Sequence, residues 1–308
     1  MDEQLHIFLS TTDWQNAETQ WFSADWSVRN YARLTNKNGD TAILLKSPPD
    51  DSPDAMIGHL ITPWSTMNTH FKSIGVNVPT IIKEDLAQGL ILMDDFGDDT
   101  IAGKGVDAYM KATDILITMR DHPNALNTDL INYEDTHVYK ALRFYPSYVL
   151  DKSELESTWF AAWDEVTADL PPCPRAFTHI DFAAMNLMWA NNDIGVIDFQ
   201  AACNSPFVYD LVNLLEDIRR DISDNTKQSC KNHYCATLSP ETTAIFNAWY
   251  PVITAQFHAR ILGQIQYLAK DKGRDDLMQY YDDITTRLEM ELQHPSLRPI
   301  LRLINDNK

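Results

Sequence analysis

Between residues 27 and 46 the chain reads SVRNYARLTNKNGDTAILLK, two β-prone runs on either side of an Asn-Lys-Asn-Gly-Asp turn. That pattern predicts an antiparallel hairpin whose second strand ends at Lys46. The next stretch, SPPDDSPDAM, is turn chemistry, with Asp54 expected to cap a helix whose spacing toward Phe71 is interrupted at Pro63. VNVPTIIKED and GLILMDDFGDDT then read as two more strands leading out through an acidic turn. From Asp107 onward the period changes. YMKATDILITMR, an aromatic-rich segment near residues 133 to 168, and several stretches after residue 207 predict amphipathic helices. Strand-like material persists there only at RAFTHI, NLMWA and GVIDFQ. The change of period predicts an α+β chain with a small β-rich N-lobe over residues 1–93 and a larger, mainly helical C-lobe over 94–308, joined by a short hinge near Leu92 to Gly97.

At 308 residues and 44% hydrophobic, the chain can bury a sizeable core. Its 25 Lys and Arg against 44 Asp and Glu leave a formal charge of −19, which argues against sequence-independent binding to nucleic acid or an anionic membrane. A polyphosphate ligand has to be met by a few locally gathered cations or by metal ions. No basic stretch precedes an apolar run at MDEQLHIFLSTTDW, and no later segment has the length a membrane span needs, so a cytoplasmic protein is expected. Cys173, Cys203, Cys230 and Cys235 are too sparse for a zinc ribbon, and reduced thiols are expected.

The informative segment is RAFTHIDFAAMNLMWANNDIGVIDFQ, residues 175 to 200. Phosphoryl transfer needs a carboxylate beside the attacking hydroxyl and oxygen ligands that fix magnesium against the phosphates. Asp181 supplies the first, as catalytic base, and Asn186 and Asp198 supply the second, as metal ligands. A loop after Asp181 can turn back so that Asn186 begins a strand, and the Asn-Asn-Asp-Ile-Gly turn returns the chain to Asp198 opposite it. Each of the three, taken alone, reads as a turn or cap residue; their joint spacing favours chemistry.

The His-x-Asp loop, the Asn five residues beyond it and the following Ile-Asp-Phe resemble the aminoglycoside phosphotransferase and choline kinase superfamily, relatives of the protein kinases. HIDFAAMNLMW, GVIDFQAACNSPFVYDLVNLLED and VNVPTIIKEDLAQGLILMDDFGDDT together resemble the bacterial N-acetylmuramate/N-acetylglucosamine anomeric kinase family, from about Ala24 to Leu268. The resemblance implies a bilobal protein-kinase-like fold with ATP between the lobes. It implies that the hinge residues Ile91, Leu92, Met93, Asp94 and Asp95 contact adenine, that His179 shapes the loop and that Asp210 buttresses it. It further implies ATP and Mg2+ as cofactors, an amino sugar phosphorylated at its anomeric hydroxyl, and a place in cell-wall recycling. The alternatives are an aminoglycoside, choline or other small alcohol as acceptor, or a pseudokinase scaffold that binds nucleotide without turnover.

Lys46 stands where a kinase-like strand offers its phosphate-gripping lysine, yet no glutamate lies between Asp54 and Ile74 to brace it, so it reads equally as a surface lysine ending a strand. SADWSVRNY has no glycine; Ser23, Ser27 and Arg29 are its candidate phosphate ligands, with Arg29 otherwise read as a solvated face residue. Asp94, Asp95, Asp98 and Asp99 read as a solvated turn, or else as a lure for a polyamine-like substrate. Trp159 and Trp163 are expected in the core by their helical spacing. His258 and Arg260 fall on positions that are basic in the resembled family, and are read as partners of a muramic acid carboxylate or as a solvated helix face.

Overall fold

A computed structural model describes residues 3–22, 28–55, 60–126, 129–190 and 192–307. The chain forms two compact units, Met1–Ile101 with Met185–Ala201, and Ala102–Ala184 with Ala202–Lys308.

The first unit is built on an antiparallel sheet of β1 (Glu18–Trp21), β2 (Asn30–Thr35), β3 (Thr41–Lys46), β4 (Ile81–Asp85) and β5 (Leu90–Asp94), in the order β1-β2-β3-β5-β4. The expected hairpin forms because Asn36 Oδ1 accepts from the Asn38 and Asp40 backbone N–H groups while Gly39 takes the left-handed φ of 85°. Register sets Ala32, Leu44 and Leu92 side by side, so strand alternation gathers them on one face with Leu34, Ala42 and Leu90. Leu5, Phe8 and Leu9 of a short helix, α1 (Glu3–Leu9), close over that face. Each such side chain contributes roughly 1.5–3 kcal/mol when fully buried. The second helix, α2 (Ile61–Ser73), is not capped by Asp54. Asp50 reaches across the loop instead, its carboxylate accepting from the Ile61 and Thr62 N–H groups at 2.7 and 3.2 Å. Pro63 does not interrupt the helix, because it lies in the first turn, where N–H groups have no helical partner to lose.

Two further strands, β6 (Arg175–Thr178) and β7 (Leu187–Ala190), fall on opposite sides of the division. β7 pairs with β8 (Asp193–Val196) in the first unit, and β6 with β9 (Cys203–Pro206) in the second. The turn residue Asn191 lies outside the described residues. The β7–β8 hairpin is stitched to the first unit on both edges. Ile101 N–H donates to Leu187 C=O and Trp189 N–H to Asp99 C=O, while Val196 N–H donates to Asn77 C=O. A Cβ on Gly195 would meet the Phe96 ring at 2.4 Å, so only glycine allows that approach.

The second unit is mainly helical: α3 (Val106–Asp121), α4 (His137–Lys140), α5 (Glu156–Ala168), α6 (Tyr209–Leu215), α7 (Asp224–Cys235), α8 (Pro240–Lys272), α9 (Tyr281–Glu291) and α10 (Arg298–Asn305). Residues 133–168 form short pieces rather than one long helix. A π-helical turn, Tyr145–Val149, carries Pro146, and Asp151 takes a left-handed φ of 57° before α5 begins. Gly263 of α8 lets that turn approach; a Cβ there would meet Tyr145 N at 2.5 Å. Trp159 and Trp163 are wholly buried, with the Tyr145 ring stacked on Trp159 at 4.7 Å. The four cysteines are free thiols. No helix among the described residues is long and apolar enough to cross a membrane.

Candidate active site

β6 runs into His179, and the chain then turns on Ile180, a β-branched residue at φ 74°. Such a conformation costs roughly 1–3 kcal/mol and persists only where its surroundings over-determine it. Here α6 supplies the constraint. Asp210, in its first turn, accepts from the His179 and Ile180 N–H groups at 2.6 and 2.9 Å, and Asn213, three residues on, donates its amide to the Ile180 carbonyl at 2.9 Å. His179 Nδ1 accepts from the Asp181 N–H at 3.2 Å. His179, Ile180 and Phe182 are buried while Asp181 is exposed at the apex. The expected parts for His179 and Asp210 are therefore what the loop displays. Asn213 escaped sequence reasoning, although its i+3 spacing from Asp210 on one helix face was the available signal.

Burial pushes the Asp210 carboxyl up to about 7 against the pull of its two N–H donors, and the nearby Asp181 charge adds to the rise. Asp210→Ala leaves both donors unsatisfied in the core, an expected loss of about 2–6 kcal/mol. Urea unfolding measures it, and an unchanged midpoint would remove Asp210 from the role of buttress.

In the first unit, Asn186 ends the turn before β7 and Asp198 lies two residues beyond β8, with Ile197 N–H donating to Asn186 C=O at 3.0 Å. Asp198 takes a left-handed φ of 63°. Phe199 anchors the turn, its ring centroid 5.1 Å from Trp64 and 5.4 Å from Phe71, both on α2. Gln200 Nε2 donates to Asp198 Oδ1 at 2.9 Å, whereas Gln200 Oε1 is buried with no hydrogen-bond partner among the described residues. Asn186 just before one arm of the hairpin and Asp198 beyond the other, with the orphaned Gln200 oxygen in the same segment, are the hard oxygen donors suited to a hydrated magnesium ion, which takes only one or two ligands from protein.

Arg29 joins this group. It is buried, donates to Leu60 C=O at 2.9 Å, and hydrogen-bonds Tyr31. Burial raises the Tyr31 hydroxyl to about 12; Arg29 opposes the rise and Asp198 adds to it, so both charges lie near the ring. Lys46 differs. Strand alternation puts it on the face of Leu44, opposite Tyr31 and its register partner Leu45. Ser23 and Ser27 lie outside the described residues. Ile91, Leu92 and Met93 are buried in β5, and Asp94 accepts from Thr80 N–H at 3.1 Å.

The acidic turn is not simply solvated. Asp95 is buried and takes Arg33 Nε at 2.5 Å, and the same guanidinium reaches the exposed Asp98 at 2.8 Å. The solvated face that was one reading of His258 and Arg260 is absent as well. Both are buried in α8, His258 between Glu291 and the Glu216 carbonyl at 2.8 and 3.0 Å, and Arg260 donating to Gln264 at 2.5 Å.

A family model described as "Phosphotransferase enzyme family" matches residues 18–245. The N-acetylmuramate/N-acetylglucosamine kinase of Neisseria meningitidis serogroup B is 24% identical over 308 residues, covering 92% of this chain and 88% of that one. The kinase of the same name from Caulobacter vibrioides is 25% identical over 335 residues, covering 94% and 92%. Among solved structures, a choline/ethanolamine kinase family protein from Mesorhizobium loti superposes with a TM-score of 0.66 at 13% identity, covering 96% of each chain. Choline kinase from Cryptosporidium parvum gives 0.67 at 9% identity, covering 98% of this chain and 99% of its own. The α+β class and the bilobal kinase-like fold expected from the sequence are those of these neighbours. The matched span holds the His179–Asp181 loop, Asn186 and the Asp198–Phe199 turn, and the chain belongs to the phosphotransferase enzyme family.

Proposed function

We propose that this protein is an ATP-dependent, magnesium-requiring cytoplasmic kinase that transfers the γ-phosphate to the anomeric hydroxyl of an amino sugar, N-acetylmuramate or N-acetylglucosamine. The observation that carries the reading is the Asp181 loop, in which His179, Asp210 and Asn213 hold three N–H groups and the Ile180 carbonyl while Asp181 itself is exposed. A base so held spends no reorganisation at the moment of reaction. Asp181 takes the proton of the acceptor hydroxyl as its oxygen bonds to the γ-phosphorus and the bond from that phosphorus to ADP breaks. Asn186 and Asp198 would hold magnesium, which when bound neutralises phosphate charge. Of the two candidate phosphate cations, Arg29 has the better support, because it shares the neighbourhood of Tyr31 and Asp198 whereas Lys46 sits on the opposite face of β3. The backbone of Ile91, Leu92 and Met93 is paired with β3 and β4 on both sides, so the adenine is received where the chain leaves β5, at Asp94 and Asp95. In this reading residues 1–93 cover the nucleotide and residues 94–308 carry the acceptor.

Two relatives named for N-acetylmuramate and N-acetylglucosamine span nearly the whole chain and support the sugar assignment. Arg33 also occupies Asp95 and Asp98, which weakens the acidic turn as a lure for a cationic aminoglycoside. With magnesium and labelled ATP, the purified protein is expected to phosphorylate either sugar in preference to kanamycin or choline. The product should be acid-labile, with phosphorus coupling at carbon one. Efficient labelling of kanamycin or choline with both sugars untouched would overturn the sugar assignment and leave the phosphotransferase class standing.

A further inference from the structure

Within the second unit, a cavity of about 440 Å³ opens where two helices begin. Gly105 caps α3 with no side chain to offer, and Ser223 caps α7. Backbone N–H groups in the first turn of a helix carry partial positive charge and favour an anion. Lys104, Arg219 and Arg220 also line the cavity, against the single carboxylate of Asp221 in its lining. In a chain of net charge −19, that gathering of cations is unusual.

The three cations are not equivalent. Arg219 is held by Asp217, Nε to Oδ1 at 2.7 Å and Nη2 to Oδ2 at 2.9 Å. Arg220 is different: its Nε is buried and has no hydrogen-bond partner among the described residues. A buried guanidinium N–H left unmatched is costly, and a bidentate anion is the group that matches it.

The cavity is also tied to the reacting centre. Asn213 of α6 holds the Ile180 carbonyl, and the same helix ends at Leu215, two residues before Asp217, the partner of Arg219. Partial burial lowers the Arg219 guanidinium, but Asp217 and, through space, Asp181 hold it above its ordinary value. A residue lining the cavity thus lies within the field of the proposed base.

Resting on the amino-sugar reading, we propose that this cavity is the subsite for an anionic substituent of the acceptor, with Arg220 and Lys104 taking a carboxylate such as that of the lactyl ether of N-acetylmuramate. Its volume is within the range of small-molecule sites, so it has room for part of the sugar as well. N-acetylglucosamine lacks the lactyl group and gains nothing from these cations. The cavity, rather than His258 and Arg260, then distinguishes the two sugars.

The test is the ratio of kcat/KM for N-acetylmuramate to that for N-acetylglucosamine. In Arg220→Gln this ratio is expected to fall at least about tenfold, carried by KM, as the loss of a charged hydrogen bond requires. Arg220→Lys is expected to recover most of it, and Lys104→Gln to fall by less than Arg220→Gln. A ratio within about twofold of wild type in Arg220→Gln overturns the subsite. If wild-type protein turns over neither sugar, the amino-sugar reading fails on its own, and saturation-transfer NMR with D-lactate on the ADP-bound protein decides the subsite. A wild-type signal lost in Arg220→Gln supports it; the absence of a wild-type signal, or its persistence in the variant, overturns it.

Discussion

Replacing Asp181 by Asn is expected to lower kcat by about 10²–10⁴-fold, the usual share of a general base, with nucleotide affinity unchanged within about twofold. The amide keeps the shape and the exposed position of the side chain but cannot accept the acceptor's proton. The loop backbone is held by other groups: the left-handed Ile180 by Asp210 and Asn213, and the Asp181 N–H by His179. Fold and loop should therefore survive, in contrast to Asp210→Ala, which removes the brace and leaves the base in place. The two variants separate chemistry from positioning. Single-turnover kinetics with calorimetric nucleotide binding reads the first, and turnover near wild type in Asp181→Asn would remove Asp181 as the base.

The parts of the molecule legible in the sequence were those set by neighbours in the chain. Strand alternation and an Asn-Gly turn gave β2 and β3, and the spacing through residues 175–200 gave the loop and the hairpin because each closes within a few residues. Contacts that cross the fold were not legible. Helix α1 has 7 residues, too few to show a period or to stand without tertiary contacts, and it is held by Leu44 and Leu92 from the sheet. The cap of α2 comes from Asp50, 11 residues before Ile61, where a local capping rule pointed to Asp54. Arg33 claims Asp95 from 62 residues away and so changes the character of a turn that looked solvated. His258 and Arg260 misled for a different reason. Val252 to Arg260 of α8 is buried without a break, so the helix has no polar face there to announce which side meets solvent.

Asp198→Ala is expected to change nucleotide binding in opposite directions according to whether magnesium is present. Without metal, the Asp198 carboxylate and the phosphates are like charges; at 4 Å and an effective dielectric of 20, one such pair costs about 4 kcal/mol. Free ATP should therefore bind wild-type protein at least about tenfold more weakly than its magnesium complex, and removing the carboxylate should improve binding in excess EDTA. With magnesium the same carboxylate is a ligand rather than a repulsion, so its loss weakens binding and reduces turnover by an expected factor of about 10² or more. A purely structural part for Asp198 predicts something else. Its contacts include a hydrogen bond from Gln200 and a left-handed turn anchored by the buried Phe199 ring, and disturbing them would weaken binding with and without metal alike. Calorimetric titration of wild type and variant, each with magnesium and with EDTA, gives four affinities whose pattern decides the matter. Equal affinity for free and magnesium-bound ATP in the wild type, or a loss of the same size in both conditions in the variant, would take the metal away from Asn186 and Asp198.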